Sequence, residues 1–292
     1  MNRSFLFWIL ALVLTLASAY YQRKTGPTYP LDGKASLAGE SISWTLGRSH
    51  GGAGDQPVRV YVGKSSAEGT LFCKRFKSDD EWSSVPMTRR GDTLIAMLPH
   101  QPPAGKLEYA VELRAGSAVL RVPEHESIVT RFKGDVPLGV LIPHVIAMFA
   151  AMLFSMRAGI EAFRRQGSFR SVVLWTSILM AIGGLIFGPI VQKYAFGAYW
   201  TGFPFGTDLT DNKTLIAFIA WIIALALIWK KDAPSSRRWY VLAASIVTLA
   251  VYLIPHSTMG SELDYRKLDR LQMQQQQQDS TIAAPTPSRD AP

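Results

Sequence analysis

Four apolar runs follow one another through the second half of this sequence, at 138–156, 172–190, 215–229 and 239–254, and they constrain the chain more than any other feature. Each approaches the roughly 20 helical residues needed to cross the hydrocarbon of a bilayer. The polar segments between them sort by charge. Residues 157–170 and 230–238 each hold four Lys or Arg and one acid, together two thirds of the net +9 set by 31 basic and 22 acidic side chains. Basic loops beside apolar helices stay on the cytoplasmic side, so the excess is a topology signal and not a nucleic-acid footprint. A four-helix transmembrane domain over 138–258 is therefore expected in the inner (plasma) membrane, with the loop 191–213 and the C-terminus on the extracytoplasmic face.

Residues 1–21 offer Arg3, an apolar run over 5–16 and the small-x-small triplet Ala17-Ser18-Ala19. That pattern suits a cleaved signal peptide or a retained anchor helix, which would raise the bundle to five, and either exports the segment after it. From 25 to 137 the pattern changes to short alternating runs between turn residues. Candidate strands lie at 41–46, 58–62, 70–76, 82–87, 93–98, 107–113, 118–122 and 128–132, a spacing that predicts an extracytoplasmic β-sandwich. Alternation is clearest where Leu107, Tyr109, Val111 and Leu113 face one way and Glu108 and Glu112 the other. The single cysteine, Cys73, excludes an internal disulfide, a thiolate zinc site and a CxxCH haem attachment, and reads as a small buried strand residue.

The run LPHQPPAGKLEYAVEL at 98–113 resembles the corner and strand of fibronectin type III and other Ig-like domains, where a Pro/Gly turn precedes a tyrosine that ties the corner to the backbone. The resemblance gives Tyr109 that role and implies a domain that binds, spaces or caps. His50-Gly51-Gly52 has the look of an esterase oxyanion loop, but the chain contains no G-x-S-x-G elbow, so a surface turn is expected there. His100, His125 and the acidic run 79–81 read as solvated turns. The tail 259–292 reads as polar, with a turn or two of helix in SELDYRKLDRLQMQQQQQ and disorder beyond 278.

Chemistry concentrates at the extracytoplasmic membrane face. The tetrapeptide Leu-Ile-Pro-His occurs twice, ending at His144 and His256, and Pro143 and Pro255 are placed to begin and end helices there. Between Lys193 and Lys213 stand Tyr194, Phe196, Tyr199, Trp200, Phe203 and Phe205. An interfacial aromatic belt accounts for such a loop, and so does a flat ligand. With two imidazoles as axial ligands and a lysine facing the propionates, the ligand would be haem. Gly197, Trp200, Asp208, Lys213, Thr214 and Trp221 lie in a layout that resembles the tryptophan-rich, WWD-type haem-handling proteins of cytochrome c biogenesis. The loop here carries one tryptophan and inserts GFPFGT before Asp208.

That resemblance implies haem b ligated by His144 and His256 and surrounded by Trp200, Tyr194, Phe196, Phe203, Phe205, Asp208, Lys193 and Lys213. The partners would be the lipid bilayer and other bacterial envelope or electron-transfer proteins. The alternative is a non-catalytic envelope scaffold without a cofactor, in which Asp208 and Asp211 cap the next helix and Gly183-Gly184 allow close packing. The four apolar runs hold no acid, which speaks against a proton-driven transporter. Phosphate loops, zinc ligand sets and paired catalytic carboxylates are also missing, so an enzyme working without a cofactor is not expected. Reporter fusions within 157–170 and 230–238 should report a cytoplasmic location; export of either would reverse this topology.

Overall fold

The computed structural model describes residues 3–164, 169–229, 235–255 and 262–283. Helix α1 (Arg3–Thr25) leads into eleven strands: β1 (Leu31–Leu37), β2 (Glu40–Leu46), β3 (Ser49–Gly51), β4 (Gln56–Tyr61), β5 (Glu68–Arg75), β6 (Ser83–Pro86), β7 (Thr88–Arg90), β8 (Thr93–Leu98), β9 (Lys106–Ala115), β10 (Ala118–Val122) and β11 (Ile128–Lys133). The helical half comprises α2 (Leu138–Glu161), α3 (Arg170–Met180), a π-helical stretch (Ala181–Phe187), α4 (Gly188–Phe196), α5 (Leu209–Trp229), α6 (Arg238–Leu253) and α7 (Tyr265–Ala283).

Alternation builds the strands. In β4, Val58 and Val60 are buried while Arg59 and Tyr61 are exposed, and β9 turns Leu107, Tyr109, Val111 and Leu113 inward. All eight expected strands form, joined by β1, β3 and β7. Those three carry no clean apolar alternation, and β7 is exposed throughout. Two sheets result, ordered β1-β2-β4-β8-β7 and β3-β11-β9-β5-β6, with β10 paired to β9. Their buried faces meet in one core, with Ile42, Val58, Leu94 and Leu98 from the first sheet against Leu71, Cys73, Val111 and Phe132 from the second. The Tyr109 hydroxyl is tied to backbone, but not to its own corner. It donates across to the Gly47 carbonyl (2.8 Å), after β2, because the phenol is fully buried and needs an acceptor inside the core.

Among the described residues, four helical spans are long and apolar enough to cross a membrane: Ser4–Thr25, Leu138–Glu161, Arg170–Phe196 and Leu209–Trp229. Helix α6 is shorter. Small residues let the helices approach, with Ala151, Ala158, Ala217, Ala224 and Ala244 clustered around buried Trp221. Side-chain hydrogen bonds cross between helices in the apolar part, among them Trp221 Nε1 to Thr248 Oγ1 (2.7 Å), Ser245 Oγ to the Ser155 carbonyl (2.9 Å) and Tyr252 to the Met148 carbonyl (2.7 Å). At the end far from the sheets, buried Arg157 pairs with Glu161 and stands over Phe7 and Trp8 of α1 at 5.6 and 5.5 Å. Exposed rings mark both ends of the bundle, with Tyr20, Tyr21, Tyr199 and Phe205 near the sheets and Phe163, Trp229 and Trp239 at the far end.

Two expectations about where these helices begin are corrected. Helix α2 starts at Leu138 and holds Pro143 inside it, so His144 sits about 9 Å along the axis and not at a terminus. Helix α5 starts at Leu209, which brings Asp211 and Lys213 into the helix, both buried. Helix α5 extends beyond its apolar run because Asp211 and Lys213 find partners at this end, the Thr201 N–H and the Ile254 carbonyl.

The junction with the sheets is tight. The Gly134 N–H donates to the Ala195 carbonyl (3.0 Å), and a Cβ at Gly134 would collide with the Tyr194 carbonyl. Helix α7 adds a second tie. Arg75 bridges Asp80 (2.7 Å) and Asp269 (2.8 Å), Arg266 reaches Asp79 (2.9 Å), and the Tyr265 hydroxyl accepts from the Lys106 N–H (2.9 Å). The expected polar tail therefore contains a 19-residue helix, and the acidic turn 79–81 docks it. Residues 284–292 lie outside the described residues.

Arg75 holds both Asp80 and Asp269 below the ordinary carboxylate value of 3.8. Lowered native values mean that the unfolded carboxylates take up protons first, so this contribution is full above about pH 4 and is lost as pH falls through the depressed range. Amide-exchange protection over α7, measured against the intrinsic rate at each pH, should fall several-fold on acidification below pH 4, and at neutral pH in Arg75→Ala. Protection unchanged in both cases would contradict the docking.

Candidate functional site

A cavity of about 290 Å³ lies where α1, α2, the π-helical stretch, α4, α5 and α6 converge beneath the end of β11. Its walls are set by backbone geometry first. The wide π turn leaves the Gly183 carbonyl free to accept from His144 Nδ1 (2.9 Å) as well as from the Gly188 N–H. A carbonyl only accepts, so Nδ1 carries the proton and Nε2 is left as the acceptor. Gly184 has no space for a side chain, since a Cβ would stand 2.7 Å from Thr214 Cγ2.

The two acids near the mouth are occupied by the loop 197–208. Asp211 accepts from the Thr201 N–H (2.7 Å), the Gly202 N–H (3.0 Å) and the Gln192 side chain (3.1 Å). Asp208 caps α5 by accepting from the Thr210 N–H (2.8 Å) and also accepts from the Thr201 hydroxyl (3.1 Å). Lys213 donates to the Ile254 carbonyl (2.6 Å), covering the C-terminal end of α6 with positive charge. Arg131 reaches down from β11. It is 5% exposed, its guanidinium stands 5.2 Å from the centre of the Phe196 ring, and its Nη2 has no hydrogen-bond partner among the described residues. Burial pulls its pKa down, opposed by Asp208 and Glu262. A guanidinium nevertheless stays charged.

The cavity is polar toward the sheets and apolar inward, where Met148, Phe149, Met152, Met180 and Ala217 line it. Val145 and Phe149 line it too and are 42% and 45% exposed, so on α2 the cavity wall is made of partly accessible side chains. Among the expected site residues, His144, Phe196, Asp208 and Lys213 meet at this cavity. Trp200 bonds within its own loop, Nε1 to the Phe203 carbonyl (3.0 Å), and Lys193 donates to the Gly197 carbonyl (2.8 Å). Tyr194, Phe203 and Phe205 are 46%, 70% and 82% exposed, because Asp211 draws the polar backbone of the loop inward and leaves its rings outside. His256 lies outside the described residues.

Three lining groups are absent from the sequence reading. Arg131 carries no signal beyond a cation within an expected strand, Gln192 looks like helix surface, and Gln22 sits at the edge of a removable leader. Among the described residues no group of three or more His, Cys, Asp or Glu gathers in a way that would hold a metal ion, though a haem iron needs no such group. No protein-family model matches the chain, and no curated protein sequence matches it. Asp211→Ala removes the acceptor that pins the loop and leaves buried N–H groups unpaired, a cost of about 1–3 kcal/mol. Limited proteolysis within 197–208 should accelerate several-fold; an unchanged cleavage rate would contradict this role.

Proposed function

We propose that this chain is a multi-pass membrane protein of bacterial inner-membrane type, whose interhelical cavity binds an amphiphilic small molecule at the extracytoplasmic face beneath an Ig-like β-sandwich. The observation that carries this reading is the cavity itself, polar at the end beneath the sheets, apolar deeper in and walled on α2 by partly accessible side chains. Sites that take small molecules share this build, apolar walls with a few placed polar groups. The sandwich reading is supported by strand order. β2-β4-β8-β7 opposite β11-β9-β5 follows the A-B-E-D and G-F-C sheets of the Ig constant type, and β3 adds a short parallel pairing with β11. The orientation is supported by Arg157 and Arg164 at the end far from the sheets, and a membrane setting by exposed rings at both ends. Retention of α1 is favoured because Thr15, Ala19 and Gln22 form part of the cavity wall.

A haem reading keeps one specific support. His144 has the arrangement of a ligating imidazole, its Nδ1 fixed on a backbone carbonyl and its Nε2 available. The remaining residues do not fit a porphyrin as they stand. The cavity is at the lower end of small-molecule pockets, about 300 to 1,000 Å³, and of the loop's rings only Phe196 turns into it. The optical spectrum of the detergent-purified chain separates these readings. No Soret band, together with saturable binding of a fluorescent fatty-acid analogue, is the expected result. A Soret band abolished by His144→Ala would establish haem in its place, and a colourless protein that binds no analogue but holds a stable partner would leave the scaffold.

A further inference from the structure

Two cations line the cavity without a contacting acid. Arg131 and Lys213 are 5% and 4% exposed, and among the described residues neither forms an ion pair. The nearby acids are engaged elsewhere. Asp211 and Asp208 hold backbone N–H groups of the loop and of α5, and Glu262 sits between Lys77 (3.2 Å) and Lys106 (3.3 Å). Arg131 feels Asp208 and Glu262 only at a distance, and its Nη2 faces no acceptor. A buried charge of this kind is costly unless something of opposite sign completes it.

We propose that the cavity takes up an anion-headed amphiphile from the facing leaflet, with its phosphate or carboxylate oxygens on Arg131 and Lys213 and its chain along Met148, Phe149 and Met152. This rests on the amphiphile reading above and names the class of ligand. The planar guanidinium fork matches two oxygens of a phosphate or carboxylate, and the ammonium of Lys213 has donors left after its bond to the Ile254 carbonyl. Partly accessible Val145 and Phe149 mark where a chain would enter from the bilayer without passing through water. Free phosphate offers the same oxygens but would leave the apolar part of the cavity unused.

Native mass spectrometry of the full chain in detergent tests this with three probes: phosphatidic acid, diacylglycerol of the same acyl chains, and inorganic phosphate. Phosphatidic acid should bind at least about tenfold more tightly than diacylglycerol, as expected for a hydrogen bond to a charged group. Arg131→Gln should erase that advantage and leave diacylglycerol binding unchanged. Lys213→Gln, on a different element, should act in the same direction and carries the test if Arg131→Gln fails to fold. Val145→Trp, adding bulk at that entry, should block both lipids. Equal binding of the two lipids, or an advantage that survives both charge variants, overturns the anionic head while leaving the cavity reading intact. Lipid binding indifferent to Val145→Trp overturns both. Inorganic phosphate that displaces phosphatidic acid at equal concentration overturns the lipid source and makes the site one for a soluble anion.

Discussion

Arg131 is a charge taken out of water at the seam between the sheets and the helices, and the rest of the arrangement answers to it. A guanidinium in such a place needs a polarizable neighbour and a field of opposite sign. Phe196 supplies a ring face at 5.2 Å, while Asp208 and Glu262 supply negative charge without contact. This leaves the cation stabilised but incomplete, with Nη2 unpartnered among the described residues at a side chain that lines the cavity. If Arg131 were paired with Asp208 directly, the mouth of the cavity would be closed by its own residues.

Holding a half-satisfied charge in place requires a rigid junction. The chain passes from β11 to α2 in four residues, too few to let the two halves swing freely, and the Gly134 to Ala195 hydrogen bond pins the crossing. Helix α7 clips to the sheets through Tyr265 and Arg75, close to Lys106, which in turn pairs with Glu262. The two sheets are thereby coupled to the cavity beneath β11. At the other end of the bundle, Arg157 and Glu161 do a similar job for α1, buried together and stacked on Phe7 and Trp8. A wall of the cavity thus depends on a contact two or more helical turns away along α1.

Much of this is legible locally. Period-two alternation locates eight strands, and the apolar runs locate the helices, because both signals come from neighbouring residues facing one medium. The failures share a cause as well. Helix α7 runs into a glutamine tract, and its placement depends on partners 159 and 194 residues away, Lys106 and Arg75. Helix α5 starts earlier than its apolar run, because Asp211 and Lys213 look like loop residues until their partners, Thr201 and Ile254, are in view. The repeated tetrapeptide points to His144, which does line the cavity. Arg131, the residue on which the site turns, is invisible in sequence as one cation in a strand. The aromatic loop misleads in the opposite direction, since rings gathered in sequence are turned outward by a backbone that points its polar atoms inward.

The most direct measurement is an experimental density map of the full chain extracted with its native membrane lipid and imaged in a nanodisc. Elongated density in the cavity is expected, its head within hydrogen-bonding distance of Arg131 and Lys213 and its tail passing Phe149 toward the bilayer. A cavity filled only by water, or closed by a direct Arg131 to Asp208 pair, would contradict it.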